Sequence, residues 1–282
     1  MYVFVFLRNQ LSQLQKLFLA SRTITFRVCK QYIQKSLALL FHQCCIPLWF
    51  IFIWTSLIRV FHLPHYLLPT PIDVLQSLIK QGSFIFFQAI PTVLEIFFGF
   101  TLSVLLGISI ALCMCSFRPL HTLLFPLLLA SQVLPVFAIA PVLVLWLGYG
   151  IMVKIMTTVF MLFFPITNNF LDGLKQTPET YLNIAKIMNS SSWQILYQIR
   201  IPSALPHLAS GIRLATAMAP LAAIIGEWVG ANQGLGFLLL NANAQMQIDL
   251  MFAVLFVLFF LGVLFYFFID TLLQWALPWS FR

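Results

Sequence analysis

Residues 91–115 read PTVLEIFFGFTLSVLLGISIALCMC, with Glu95 as the one charged residue. A helix rises 1.5 Å per residue, so this stretch is long enough to cross the ~30 Å hydrocarbon core of a bilayer. In water it would have to be sheathed on all sides by other protein. The rest of the chain cannot supply that sheath and a polar skin as well. Of its 282 residues, 61% are hydrophobic and only 8% are charged, against about 25% charged in ordinary soluble domains. The bilayer is therefore the solvent for most of the surface. In hydrocarbon every backbone group must be satisfied internally, so the expected fold class is an all-α membrane protein.

Five more stretches follow the same logic: 45–61, 123–147, 152–171, 208–229 and 250–273. Together they predict about six transmembrane helices. The third in chain order carries Pro126, Pro135 and Pro141, so it is expected to kink, or to split into a shorter span and an interfacial piece. Between the first two stretches, Thr70 before Pro71 predicts an N-cap and a first helical position, with a short helix over 72–80.

Orientation is read from the basic residues. Residues 1–46 hold Arg8, Lys16, Arg22, Arg27, Lys30 and Lys35 and no acid. They read as a basic cytoplasmic N-terminal segment lying on the membrane surface, with 47–282 as the transmembrane domain. The alternative for 1–46 is a start codon assigned too early. An N-in, C-in arrangement puts eleven basic residues inside and leaves Lys80 outside, with Arg59 and Lys154 at outer helix ends. Arg213, just inside the fifth stretch, is expected to snorkel to the cytoplasmic side. The formal net charge of +8 is too segregated to suggest nucleic acid. The odd count of five cysteines does not resemble a disulfide framework, and Cys113 and Cys115 read as small apolar filler, with no metal expected.

The long connection at about 172–207 is the informative loop. Locally it reads as helix, break, helix. Thr177 is expected to cap a helix begun by Pro178 and Glu179. Apolar residues then recur at helical spacing at Tyr181, Ile184, Ala185, Ile187 and Met188. Asn189 suits the left-handed conformation that ends a helix. Ser191 or Ser192 is expected to cap a second helix carrying Trp193, Leu196 and Tyr197, closed by Pro202 and Pro206. A short amphipathic pair of this kind rests on lipid or docks a soluble partner.

From Asn183 to Pro206 the loop resembles the "EAA" loop of ABC transporter permeases, the inner-membrane components of binding-protein-dependent importers. Asn183, Ile184 and Ala185 occupy its opening, Asn189 stands at its glycine and Pro202 at its proline. The acidic opening residue is here Asn183, which removes a charge able to pair with a basic group on an ATPase. The resemblance extends over roughly 66–280, through Gly211-Ile212-Arg213-Leu214, Gly226-Glu227-Trp228-Val229-Gly230 and Gly234-Leu235-Gly236. The run from Trp228 through Asn241–Gln247 and Asp249-Leu250-Met251 is similar to permeases for thiamine-pyrimidine precursors, within a group that includes sulfonate, taurine and nitrate permeases.

The resemblance implies an ATP-driven importer of a small solute: the hydroxymethylpyrimidine precursor of thiamine, or alternatively a sulfonate-, taurine- or nitrate-type anion. It implies an ATP-binding subunit, a periplasmic substrate-binding protein and a second permease copy in the inner membrane. The ATPase-coupling residues would be Asn183, Ile184, Ala185, Asn189, Trp193 and Pro202. No G-x-x-x-x-G-K-[ST] loop occurs, so ATP is expected to bind the partner and not this chain. Glu95 and Glu227 stand in apolar runs, where ionisable groups are costly and often functional. With Asn241 and Asn243 they are the candidate pathway residues. The plainer readings are a buried hydrogen bond for Glu95 and an interfacial carboxylate for Glu227. On an extended chain Asn241, Asn243, Gln245 and Gln247 would share a face; on a helix they would spread. The competing class is a proton-coupled secondary carrier, which usually has more spans and chains of intramembrane acids.

Overall fold

The structure, a computed structural model, describes residues 48–280, and these are helical wherever they are regular. The basic segment 1–46, with Cys45 to Pro47 of the first apolar stretch, lies outside the described residues. The chain divides into two compact units between Pro64 and His65. The first contains α1 (Leu48–Phe61). The second contains the other described helices.

Helix α2 (Pro71–Lys80) starts as expected. Asp73 N–H donates to Thr70 Oγ1 at 3.3 Å, and Thr70 N–H donates to Asp73 Oδ2 at 3.1 Å, a reciprocal capping box. Helix α3 (Gly82–Ser116) runs 35 residues and begins well before Pro91. Helices α4 (Arg118–Val133) and α5 (Val136–Leu147) are bent by 106° at Leu134-Pro135. The cause is local. Pro135 has no N–H to give, and Leu134 before it is pushed to extended backbone, φ −74° and ψ 122°. Helix α6 (Ile151–Lys175) follows a turn with Gly148 and Gly150 at positive φ. Helices α10 (Leu235–Ala244) and α11 (Ile248–Ala276) close the unit.

Four helical stretches among the described residues are long and apolar enough to cross a membrane: Gly82–Ser116, Ile151–Lys175, Ser192–Gly230 and Ile248–Ala276. The bent α4–α5 pair passes the same test together. The loop's second helix does not stop at Pro202 and Pro206. Helix α8 (Ser192–Ile195), a π-helical turn (Leu196–Arg200) and α9 (Ile201–Gly230) run on as one helix of 39 residues. A proline ring at 202 would press on the carbonyl of Gln198 in a regular α-helix. Gln198 lies in the π-helical turn, whose wider ring gives the proline room.

The core is the packing of α3, α6 and α9. Apolar lipid gives no hydrophobic drive for helices to associate, so close backbone approach must do the work. A Cβ on Gly211 would meet Pro165 O at 2.8 Å, and one on Gly226 would meet Lys154 Cα at 3.2 Å. Ala204, Ala215, Ala219, Ala222 and Ala223 line the buried face of α9. On the α3 side, Gly99 and Gly107 accept Thr158 and Ile166. Arg213 pairs with an acid on the neighbouring helix. Its Nε donates to Asp270 Oδ1 at 2.6 Å, tying α9 to α11. A guanidinium among apolar helices needs a counter-charge, and the acid one helix away supplies it.

Candidate functional site

Two arrangements stand at opposite ends of α6 and α9. The first is the loop. Helix α7 (Glu179–Ile187) has Pro178 at its N-cap, and Thr177 does not cap it. Thr177 is buried, and its hydroxyl donates back to Leu174 O at 3.2 Å. The helix ends as expected on Asn189, at φ 53°. Ser190 N–H donates to Ala185 O and Asn189 N–H to Lys186 O, both at 3.0 Å, a Schellman closure. Ser191 then caps the long helix, exchanging hydrogen bonds with Gln194.

The six residues assigned to coupling divide by burial. Ala185 is buried under α7. Asn183, Ile184, Asn189, Trp193 and Pro202 are exposed. Trp193 and Tyr197, at 74% and 72% exposure, do not pack into the permease core. Ile187 and Met188, on the other side of the Asn189 turn, are exposed as well.

The second arrangement is a buried charge cluster. Lys154, expected at an outer helix end, is 3% exposed inside the helix packing. Its Nζ donates to Glu95 Oε1 at 2.7 Å and to Gln233 O at 3.2 Å. Gly226 passes so close to Lys154 that a Cβ there would stand only 3.2 Å from the α6 backbone. Glu227, one residue on, is 1% exposed. Its carboxyl lies near enough to act on Glu95 electrostatically.

Glu227 has a definite task, which is to cap α10. That helix has glycine at its own N-cap and so no side chain to satisfy its first N–H groups. They are satisfied from other helices. Gly234 N–H donates to Gln88 Oε1 at 2.8 Å and Leu235 N–H to Thr92 Oγ1 at 2.9 Å. Gly236 and Phe237 N–H donate to Glu227 Oε2, while Thr92 donates its hydroxyl to Glu227 Oε1 at 2.6 Å. A carboxylate at a helix N-terminus also meets the positive end of the helix dipole. Gly234, at φ 123°, has no room for a side chain, because a Cβ would run into the Glu227 carboxyl.

The structure thus brings together Glu95 and Glu227 of the four candidate pathway residues. Asn241 and Asn243 lie toward the other end of α10, half-buried and exposed respectively. Both are helical and so do not share a face, while Gln245 and Gln247 lie beyond the end of α10, at a turn where Met246 takes φ 58°. Lys154, Thr92 and Gln88 were not anticipated as partners of these acids. A usable signal for Lys154 was the demand that two acids in apolar runs find a buried base.

This fold and this loop define a membrane permease of the binding-protein-dependent type. Residues 103–279 match the family described as "Binding-protein-dependent transport system inner membrane component", and the chain belongs to it. It is 44% identical over 222 residues to a "Probable ABC transporter permease protein" of Haemophilus influenzae, covering 79% of this chain and 91% of that one. It is 40% identical over 228 residues to the "Formylaminopyrimidine transport permease protein ThiX" of Halalkalibacterium halodurans, covering 80% and 91%. Among solved structures, an amino acid ABC transporter with histidines aligns at TM-score 0.59 and 13% identity, over 71% of this chain and 97% of that one, a likeness of fold. The chain is a multi-pass inner-membrane permease subunit of an ABC importer, and ATP hydrolysis in that family lies in a partner subunit.

Proposed function

We propose that this permease moves a thiamine-type pyrimidine precursor, of the formylaminopyrimidine or hydroxymethylpyrimidine kind, inward across the membrane. The observation that supports this substrate is the 40% identity, over most of both chains, to the formylaminopyrimidine permease. A periplasmic binding protein delivers the solute, two copies of the chain enclose the pathway, and the ATPase docks on the cytoplasmic loop. Asn183, Ile184, Asn189 and Trp193 present the docking surface. Ala185 holds α7 in place beneath it, and Pro202 lies where the docked helix becomes the span.

The coupling reading draws on the unbroken helix from Ser192 to Gly230. Force applied at Trp193 reaches Glu227 through one rigid body, without a flexible joint. Glu227, which holds α10 down, and Glu95, which holds Lys154 beside it, then close the outer end of the pathway. They meet the solute when α10 moves, and Asn241 and Asn243 supply polar contacts along the same helix. An aminopyrimidine offers donors and acceptors that carboxyl and amide groups can match.

The test is reconstitution of the chain with its ATPase and binding protein in liposomes. ATP-dependent uptake of labelled formylaminopyrimidine, with taurine and nitrate excluded, supports the reading. Uptake of taurine or nitrate in preference would overturn the substrate. Uptake driven by a proton gradient without ATP would overturn the coupling.

A further inference from the structure

A cavity of about 690 Å³ opens between the end of α3, the last turn of α7 and the start of the long helix. Lys186, Arg200, Ser192, Cys115, Phe117 and Trp193 are among its lining residues, and no acid lines it. Neither cation is spent elsewhere: among the described residues, no ion pair involves Lys186 or Arg200. Arg200 Nη1 reaches only Cys115 Sγ, at 3.5 Å, and sulfur is a weak acceptor. Its Nε is buried with no hydrogen-bond partner. A half-buried guanidinium with one buried orphan donor wants an oxyanion in its fork.

The position of the cavity narrows the source of that oxyanion. Arg200 ends the apolar stretch of α9; before it stand Gln198, Gln194 and the serines at 190–192. Along one helix at 1.5 Å per residue, Arg200 lies about 40 Å from Glu227, close to the full thickness of a bilayer with its headgroups. Exposed Trp193 and Phe117 at the rim are aromatics of the sort found at headgroup level. A π-helical turn presents Arg200, an irregularity that recurs at functional sites.

We propose that this cavity binds a phosphate-type oxyanion, and that its source is the headgroup of an anionic phospholipid. Arg200 takes the phosphate in its guanidinium fork, Lys186 adds a second charge from α7, and Phe117 flanks the acyl side. One lipid then ties the end of α3 and α7 to the start of the long helix. Basic pockets between membrane helices hold anionic headgroups by this chemistry. The proposal does not depend on the substrate.

The experiment uses the full chain in neutral detergent. Thermal unfolding is followed while phosphatidylglycerol, phosphatidylcholine or inorganic phosphate is added, and retained lipid is read by native mass spectrometry. Phosphatidylglycerol is expected to raise the midpoint above the phosphatidylcholine level and to remain bound as a discrete adduct. In Lys186→Gln with Arg200→Gln the apparent affinity falls roughly tenfold or more, while Lys80→Gln, outside the cavity, leaves it unchanged. If Arg200→Gln does not fold, Lys186→Gln alone carries the test with a smaller loss. Equal effects of the two lipids, or an undiminished effect in the variants, would overturn the proposal. So would full stabilisation by inorganic phosphate alone, which removes the lipid as source. Loss of ATPase association in lipid-free Lys186→Gln would also overturn it, because the cavity would then take an acidic side chain of the ATPase.

Discussion

Lys154 on α6 and Glu95 on α3 form a 2.7 Å ion pair with both side chains shielded from solvent. Removing one partner of such a pair leaves a charge with no water to solvate it, at a typical cost of 3–5 kcal/mol, whereas replacing both is often tolerated. Lys154→Met is therefore expected to lower the unfolding midpoint and the yield of folded protein sharply. Lys154→Met combined with Glu95→Gln should recover much of that loss. Thermal unfolding of the four-member set in detergent measures the coupling, and additive losses would contradict a paired role.

The α10 clamp predicts a graded series at Glu227. Glu227→Gln keeps an oxygen for the Gly236 N–H and loses the charge. Glu227→Ala strands the buried Gly236 N–H, worth about 1–3 kcal/mol, and the half-buried Phe237 N–H. Protection of the α10 amides against hydrogen exchange should fall in the order wild type, Gln, Ala, and uptake should fall with it. Gly234→Ala should resemble Glu227→Ala although the carboxyl is retained, because the new methyl group displaces it.

These features were unequally legible in the sequence. The apolar stretches announced α3, α6 and α11, and local chemistry announced the caps at Thr70, Asn189 and Ser191, because each depends on neighbours in the chain. Lys154 does lie in the first turn of a helix, but its burial and its partner are not legible there. It stands three residues inside α6, where position alone suggests an interface, and its partner lies 59 residues away. The continuity of α8 with α9 was hidden by Pro202 and Pro206, which ordinarily break a helix. The π-helical turn before them has no sequence signature. Thr177 was assigned as a cap because it precedes proline, but its hydroxyl turns back to α6 and is buried there.

At the loop, Asn189 adopts φ 53°, a conformation that costs a non-glycine residue roughly 1–2 kcal/mol and a β-branched one more. Asn189→Gly should preserve or tighten the turn. Asn189→Val should distort it and reduce uptake while leaving α3, α6 and α9 folded. A circular dichroism spectrum unchanged in Asn189→Val, together with uptake and ATPase stimulation lost, is the expected pattern. Wild-type uptake in that variant would remove the turn from coupling.

The Thr70–Asp73 cap gives a prediction in pH. The Thr70 hydroxyl, with smaller help from the Thr70 N–H and His65, holds the Asp73 carboxyl below its usual range. A carboxylate depressed in the folded state contributes stability above its unfolded-state value and loses it as pH falls through the folded value. Hydrogen-exchange protection of α2 should therefore weaken as the sample is acidified below the ordinary carboxylate range. Thr70→Ala should move that weakening to higher pH, and an unchanged profile would show the cap to be dispensable.

The unbroken helix from Ser192 to Gly230 makes the sharpest demand. If force enters at the loop and is spent at the Glu227 clamp, a joint placed between them should separate the two ends. Ile199→Pro removes a backbone hydrogen bond just ahead of Pro202 and kinks the helix, at about 3 kcal/mol in a helix interior. The ATPase should still dock, since Trp193 and Asn189 precede the kink. Its ATP turnover in the assembled complex should continue, but uptake should fall and α10 exchange should no longer respond to ATP. A substitution to alanine at the same position should leave both intact, because alanine preserves the helix. Uptake at the wild-type level in Ile199→Pro would mean that force reaches the clamp by another route, through α6 and the Lys154–Glu95 pair.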